Sequence, residues 1–180
     1  RNKCKNKDDI YVTGNLGDSY LGLLILTKKL FLRNTNHRKY FIHKYYMPDL
    51  PTRISSKLVK FANSSIDISD GLFGDLTKLI NTSNLYFRLD VEKIPISSKL
   101  KSYLVKTNKK KISFISKGDD YQILFTSPKS NRKYIKYLSK RMNQKVTLIG
   151  HLTNEISSNQ IIYDKKLLKH RYNEGYIHNF

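Results

Sequence analysis

The 180-residue sequence predicts an α/β protein, with α+β layering of one mixed sheet flanked by helices, on three observations. Apolar residues switch between strand and helix spacing along the whole chain, with no internal repeat and no low-complexity stretch. Glycines stand where strands give way to helices, in "VTGNLGDS" and "IDISDGLFGDL". A hydrophobic share of 39% supports one real core, while 180 residues are too few for a second full-sized domain.

Taken in order, "DIYVTG" (9–14) is a β-branched and aromatic run closed by glycine, hence a strand. A turn at Gly17 leads into a helix over "YLGLLILTKKLFL", with Asp18 or Ser19 as its cap. "NTNHRK" reads as a break, and "KYFIHKYY" as a short helix that the prolines of "MPDLP" stop. "TRISSKLVKFA" (52–62) predicts a further helix capped by Thr52. "SSIDIS" is a strand, followed by a helix with Leu72, Leu76, Leu79 and Ile80 on one stripe. "NLYFRLDV" alternates as a strand does, and "SSKLKSYLVKT" is an amphipathic helix capped by Ser97 or Ser98. "DDYQILFTS" is a strand, "SNRKYIKYLSKRM" a helix with a basic face, and "KVTLIGHLT" and "QIIYD" are late strands. The tail "RYNEGYIHNF" is aromatic enough that it is expected to dock.

Composition narrows the function classes. No stretch approaches the roughly 18 apolar residues of a membrane span, and "RNKCKNKDD" has no apolar signal-peptide core. The single cysteine, Cys4, forbids an internal disulfide framework, so the expected setting is cytoplasmic. A net charge of +20 raises nucleic-acid binding as a reading. Against it, only 8 of the 34 cations are Arg, which leaves 26 Lys scattered among Asn, Ile and Tyr. That pattern fits an AT-biased coding sequence and solvated helix faces better than a groove that grips phosphates.

The chemistry concentrates in "SSIDISDGLFGDL". In an extended segment Asp67 and Ser69 share one face, while Ile66 and Ile68 point to the core. Asp70 falls where the strand yields to a helix, near the positive end of the helix dipole. Two carboxylates this close call for a cation or donors between them, and hard oxygen ligands suit Mg²⁺. With a helix start nearby, the group has the makings of a metal-bridged phosphate site. Taken alone, the stretch equally fits an N-cap and a turn residue. A second acidic pair, Asp119 and Asp120 after Gly118, shifts that balance, because Asp is a poor strand former. The glycine-rich turn of "VTGNLGDS" is only a weak phosphate signal by itself. Other residues carry structural readings: His43, His151 and His170 as surface or satisfied histidines, Tyr121 packed in the sheet, Arg53 as an ion-pair or structural arginine, and Asp75 as solvated or dipole-complementing.

The blocks "VTGNLGDSYLGL", "PTRI", "SIDISDGLFGDL", "SKGDDYQILFT", "TLIGHLT" and "GYIHNF" stand in the order and spacing of the thiamine-monophosphate kinases. The sequence resembles the C-terminal half of that family over essentially all 180 residues, within a superfamily that includes aminoimidazole ribonucleotide synthetase and selenophosphate synthetase. The resemblance implies two α/β halves, of which the N-terminal one binds ATP, carries most of the Mg²⁺-binding aspartates and forms a homodimer. Residues 1–8 are then the remnant of the linker from that absent domain, and 9–180 are the C-terminal α/β domain. The implied reaction is ATP-dependent phosphorylation of thiamine monophosphate to thiamine diphosphate, with several Mg²⁺ ions and direct in-line transfer. A half of a composite site is expected to be inactive alone.

Carried over by position, the resemblance makes Asp67 a metal ligand, Asp70 a ligand of another Mg²⁺, and Ser69 an ATP contact. Arg1 falls on an ATP-contacting arginine. Asp119 stands where the family usually has Glu in a Gly-Gly-Glu-Asp-Tyr block and is a substrate contact, with Lys117 replacing the first Gly. Phe180 corresponds to the aromatic that stacks on thiamine, although "GYIHNF" carries Ile177 for Asp and an extra Asn179. The alternatives are another ATP-dependent synthetase of the superfamily and, less favoured, a basic nucleic-acid-binding module.

Overall fold

The computed structural model describes residues 3–168. Arg1, Phe180, His170 and the tail "RYNEGYIHNF" lie outside the described residues. The chain runs β1 (Asp9–Thr13), α1 (Asp18–Leu26), α2 (Thr35–Tyr46), α3 (Thr52–Ser55), β2 (Ser64–Asp67), α4 (Leu72–Ile80) and β3 (Tyr86–Asp90). It continues through α5 (Ser98–Thr107), α6 (Ile112–Ile115), β4 (Ile123–Ser127), α7 (Arg132–Arg141), β5 (Val146–Thr153), β6 (Gln160–Tyr163) and β7 (Lys166–Leu167). The strands form one mixed sheet in the order β2-β4-β1-β5-β3-β6-β7, antiparallel at every pairing except the parallel β3/β6.

Alternation along the strands explains why helices cover both faces. In β1, Ile10 and Val12 join Ile66, Ile68, Leu72, Leu76 and Leu79 in the core under α4, whereas Tyr11 points the other way. There Tyr11 stacks on Phe125, with Ile54 from α3 and Ile135 and Leu138 from α7 in the same cluster. A third cluster, Leu21, Ile25, Phe41, Leu100 and Phe114, ties α1, α2, α5 and α6 together. Residues just before β1 also join the body: Cys4 packs against the main core, and the buried Asp8 accepts from Asn63 and from the Lys5 N–H.

Four expectations are corrected. Asn34, not a break, opens α2, and its side chain accepts from the His37 N–H at 2.9 Å, so the helix absorbs most of "NTNHRK". The helix expected over 52–62 is cut to α3 and a single 3-10 turn at 58–60. There the Ser55 hydroxyl donates back to the Thr52 carbonyl, a local bond that competes with helix propagation. Neither Asp18 nor Ser19 caps α1, because Gly17 holds the cap position. Finally, "DDYQILFTS" becomes a strand only from Ile123, since Asp119 and Tyr121 have φ of +67° and +50°. The short α6 and β7 carry no clear sequence signal, while Ser97 caps α5 as expected, accepting from the Leu100 N–H.

Candidate functional site

The ladder between β2 and β4 does not stop at its last regular pair, Asp67 opposite Ile123. Ile68 N–H donates to the Gln122 carbonyl, Tyr121 N–H to the Ile68 carbonyl, and Asp119 N–H to the Ser69 carbonyl. The two acidic stretches, about 50 residues apart in sequence, are thereby laid side by side. Two glycines permit the contact. A Cβ on Gly118 would lie 1.7 Å from the Ser69 carbonyl oxygen, and one on Gly71, at φ +117°, would lie 2.3 Å from the Ser116 carbonyl oxygen.

Asp75 shapes the turn between them. This carboxylate is buried, and its Oδ2 accepts from the N–H groups of Ser69, Asp70 and Gly71 at 3.0, 2.9 and 3.2 Å. Its Oδ1 accepts from Lys78 Nζ at 3.1 Å, and the same ammonium pairs with Asp70. The hydrogen bond to Asp70, more than its partial burial opposes it, raises the Lys78 pKa. The expected solvated role for Asp75 is therefore corrected: the chain curls over it, and it occupies the backbone donors of Ser69, Asp70 and Gly71.

The result is a cleft of about 520 Å³. Tyr20 and Leu23 of α1 form its apolar wall, Ser69 and Asp70 one polar edge, and Lys117, Gly118, Asp119 and Tyr121 the other. Three predicted site residues, Ser69, Asp70 and Asp119, thus converge. Asp67 does not line this cleft; it sits exposed at the end of β2, with Ile66 and Ile68 turned into the core as alternation requires. Burial first, then the Asp70 charge, pushes the Asp119 carboxyl above the ordinary aspartate range. Tyr121 is exposed at the cleft edge instead of packed in the sheet. Arg53 plays a structural part, donating to the Met142 carbonyl at 3.3 Å.

Behind the cleft, Asp120 is buried and accepts from the Gly17 N–H at 2.8 Å, so it supplies the cap that Asp18 and Ser19 do not. Burial pushes its carboxyl well above the usual range, and the nearby Asp18 and Asp119 charges add to that rise against the lowering by the Gly17 and Ser19 N–H groups. Asp18 is itself raised by burial, although Ser97 and Tyr40 hydroxyls donate to it at 2.7 and 2.9 Å. Gln122 completes the brace. It accepts from Thr13 Oγ1 at 2.8 Å and donates to the Asp49 carbonyl.

Among the described residues, no group of three or more His, Cys, Asp or Glu side chains is placed to hold a metal ion. The carboxylates available are Asp70 and Asp119 on the two edges of the cleft and Asp67 outside it at the strand end. Such a set fits Mg²⁺ in the manner common for that ion, held by one or two carboxylates with phosphate oxygens and water completing its octahedron. Sequence reading missed Lys78 altogether. Its signal was available, since Lys78 stands three residues after Asp75 on the same helix face.

No family model matches the chain. A thiamine-monophosphate kinase of Buchnera aphidicola subsp. Acyrthosiphon pisum is 36% identical over 177 residues, covering 94% of this chain and 54% of the relative. Among solved structures, thiamine monophosphate kinase from Aquifex aeolicus superposes with a TM-score of 0.76 at 30% identity, covering 93% of this chain and 53% of that one. A structure of AaThiL complexed with AMPPCP and TMP gives the same TM-score at 29% identity, over 94% of this chain and 52% of that one. The chain spans about half the length of the curated relatives it matches.

Proposed function

The chain belongs to the thiamine-monophosphate kinase family, matching about half the length of its members, and from that premise we propose that it is the C-terminal part of an enzyme that phosphorylates thiamine monophosphate. In the proposed reaction a phosphate oxygen of thiamine monophosphate attacks the γ-phosphorus of ATP, ADP leaves, and thiamine diphosphate forms. The observation that carries the reading is the convergence of Ser69, Asp70 and Asp119 on one cleft, in a chain similar to a protein solved with AMPPCP and TMP. Phosphoryl transfer requires positioning and charge neutralisation more than a protein nucleophile, and this cleft offers two carboxylates, a hydroxyl and a lysine, Lys117.

In this reading Asp70 and Asp67 hold Mg²⁺ ions that arrive with ATP, and Ser69 contacts the nucleotide. Asp119 meets thiamine monophosphate, Arg1 contacts ATP, and Phe180 stacks on the thiamine ring. Mg²⁺ would neutralise the phosphates and the developing charge on the leaving ADP. Residues 1–8 are the linker from an N-terminal ATP-binding half that also forms a homodimer, and 9–180 are the C-terminal α/β domain. The expected setting is cytoplasmic; among the described residues no helix is long and apolar enough to cross a membrane.

The test joins this chain to the N-terminal half of the Buchnera relative and follows thiamine diphosphate formation from thiamine monophosphate and MgATP. Turnover that Asp70→Asn lowers about 100-fold or more, and that the 180-residue chain alone lacks, is the expected outcome. Turnover indifferent to both Asp67→Asn and Asp70→Asn would remove these residues from the reaction. A preference for another phosphate acceptor would move the chain to a sister synthetase of the superfamily.

A further inference from the structure

Lys78 is anchored at one contact and exchangeable at the other. Asp75 holds it by a carboxylate that is itself fixed, because the buried Oδ2 is saturated by three backbone N–H groups and only Oδ1 remains for the ammonium. Asp70, by contrast, is partly exposed and borders the 520 Å³ cleft. The Lys78 side chain keeps 47% of its surface accessible, so it can turn about its own long stem while α4 stays in place. A divalent cation at Asp70 would meet this ammonium at close range, and like charges there oppose one another. The two therefore compete for the carboxylate, each weakening the other's hold on it.

We propose that Lys78 is the resident counter-cation of Asp70: it occupies that carboxylate until a divalent cation replaces it, and the released ammonium, retained by Asp75, then pairs with a phosphate oxygen delivered to the cleft. The inference rests on the metal role assigned to Asp70 above and adds a phosphate-binding residue that neither acidic block contains. It also explains why Asp75 is buried beneath the turn: the residue that orders the Ser69–Gly71 backbone keeps the ammonium near the cleft after it leaves Asp70.

The test uses Mn²⁺ as the probe on the full 180-residue chain, with free Mn²⁺ read by electron paramagnetic resonance, first alone and then with inorganic pyrophosphate. Lys78→Met is expected to bind Mn²⁺ alone more tightly, by roughly three- to tenfold, because the competing cation is gone. With pyrophosphate present the order reverses, and Lys78→Met binds the Mn²⁺–pyrophosphate pair more weakly than wild type while Lys78→Arg retains most of its affinity. A Lys78→Met chain that binds Mn²⁺ alone no better than wild type overturns the exchange, as does tightening without the reversal. In either of those cases loss of binding in Asp70→Asn keeps the metal role of Asp70 intact. Wild type and Asp70→Asn binding Mn²⁺ equally, or not at all, overturns that role and the exchange with it.

Discussion

Asp75 and Asp120 are both buried aspartates that accept backbone N–H groups where a helix begins, yet their surroundings are opposite in charge. Asp75 acts within its own turn, on donors four to six residues away, and a lysine meets its second oxygen. Asp120 acts across the fold, on the Gly17 N–H 103 residues away, and its charged neighbours are the carboxylates Asp18 and Asp119. The same hydrogen-bonding device therefore works with a cation beneath the 69–71 turn and against neighbouring carboxylates behind the cleft. A buried carboxylate with three donors and a cation is compensated, whereas one among carboxylates is kept by its backbone contact against its electrostatics.

Removing Asp75 is the largest perturbation of this contrast. Asp75→Ala leaves three N–H groups under the turn without their acceptor and frees Lys78 from its anchor. A loss of about 3 kcal/mol or more is expected in urea unfolding. The 69–71 amides should also lose protection in hydrogen exchange before the core strands do. Unchanged protection at Ser69, Asp70 and Gly71 would mean that the turn holds itself, and the supposed difference between the two aspartates would vanish.

A smaller effect is expected where the two acidic stretches meet. Gly118→Ala places a methyl against the Ser69 carbonyl, a backbone atom that cannot swing aside, so one stretch must move off the other. Overpacking of this kind costs about 2 kcal/mol. Because Asp119 N–H also donates to the Ser69 carbonyl, the substitution should weaken Mn²⁺ binding at Asp70 as well as lower the urea midpoint. Lowered stability with Mn²⁺ binding unaltered would separate the geometry of Asp70 from that of the 117–122 segment.

Much of the Asp75 side could be read from local pattern, and little of the Asp120 side could. Period-two alternation places Ile66 and Ile68 in the core, α4 begins directly after Gly71 although β2 already ends at Asp67, and Ser97 caps α5. Asp75 itself reads as solvent-facing, since a polar residue in a first helical turn usually is; only the chain folding back over it makes it buried. Asp120 depends on a partner in α1, so no window around "GDDYQ" announces it, and the adjacent left-handed residues Asp119 and Tyr121 break a pattern that otherwise reads as strand. The cap of α2 is masked for a different, local reason: Asn34 lies in a polar cluster whose composition signals a loop, although its contact with the His37 N–H spans only three residues. Asp75 and Asp120 stayed hidden because their surroundings are set by contacts made as the chain folds, which propensity does not encode, whereas the Asn34 cap and the Lys78–Asp75 pair are local and lay within reach of the sequence.

The smallest expected effect has the opposite sign and is the sharpest test of the contrast. Unfolded, the Asp120 carboxyl ionises near the ordinary value of about 3.9, whereas the fold keeps its proton to higher pH. On raising the pH, the unfolded chain releases this proton first, so the contribution of Asp120 to stability is full below about pH 4 and is lost as pH climbs through the folded-state pKa. Asp120→Asn keeps an oxygen for the Gly17 N–H and carries no charge at any pH. The variant should then match wild type near pH 4 and gain on it toward neutral pH, as the wild-type carboxyl is driven to ionise against its burial. Any slope left in the variant over the same window belongs in part to Asp18, whose carboxyl burial also raises. The corresponding substitution Asp75→Asn should cost stability at neutral pH, since it gives up the pairing with Lys78 and the charge that strengthens three backbone hydrogen bonds. Urea titrations of both variants from pH 4 to 8 therefore decide the matter: curves that separate from wild type in opposite directions uphold the contrast, and an Asp120→Asn chain that loses stability as pH rises shows that Asp120 is as well compensated as Asp75.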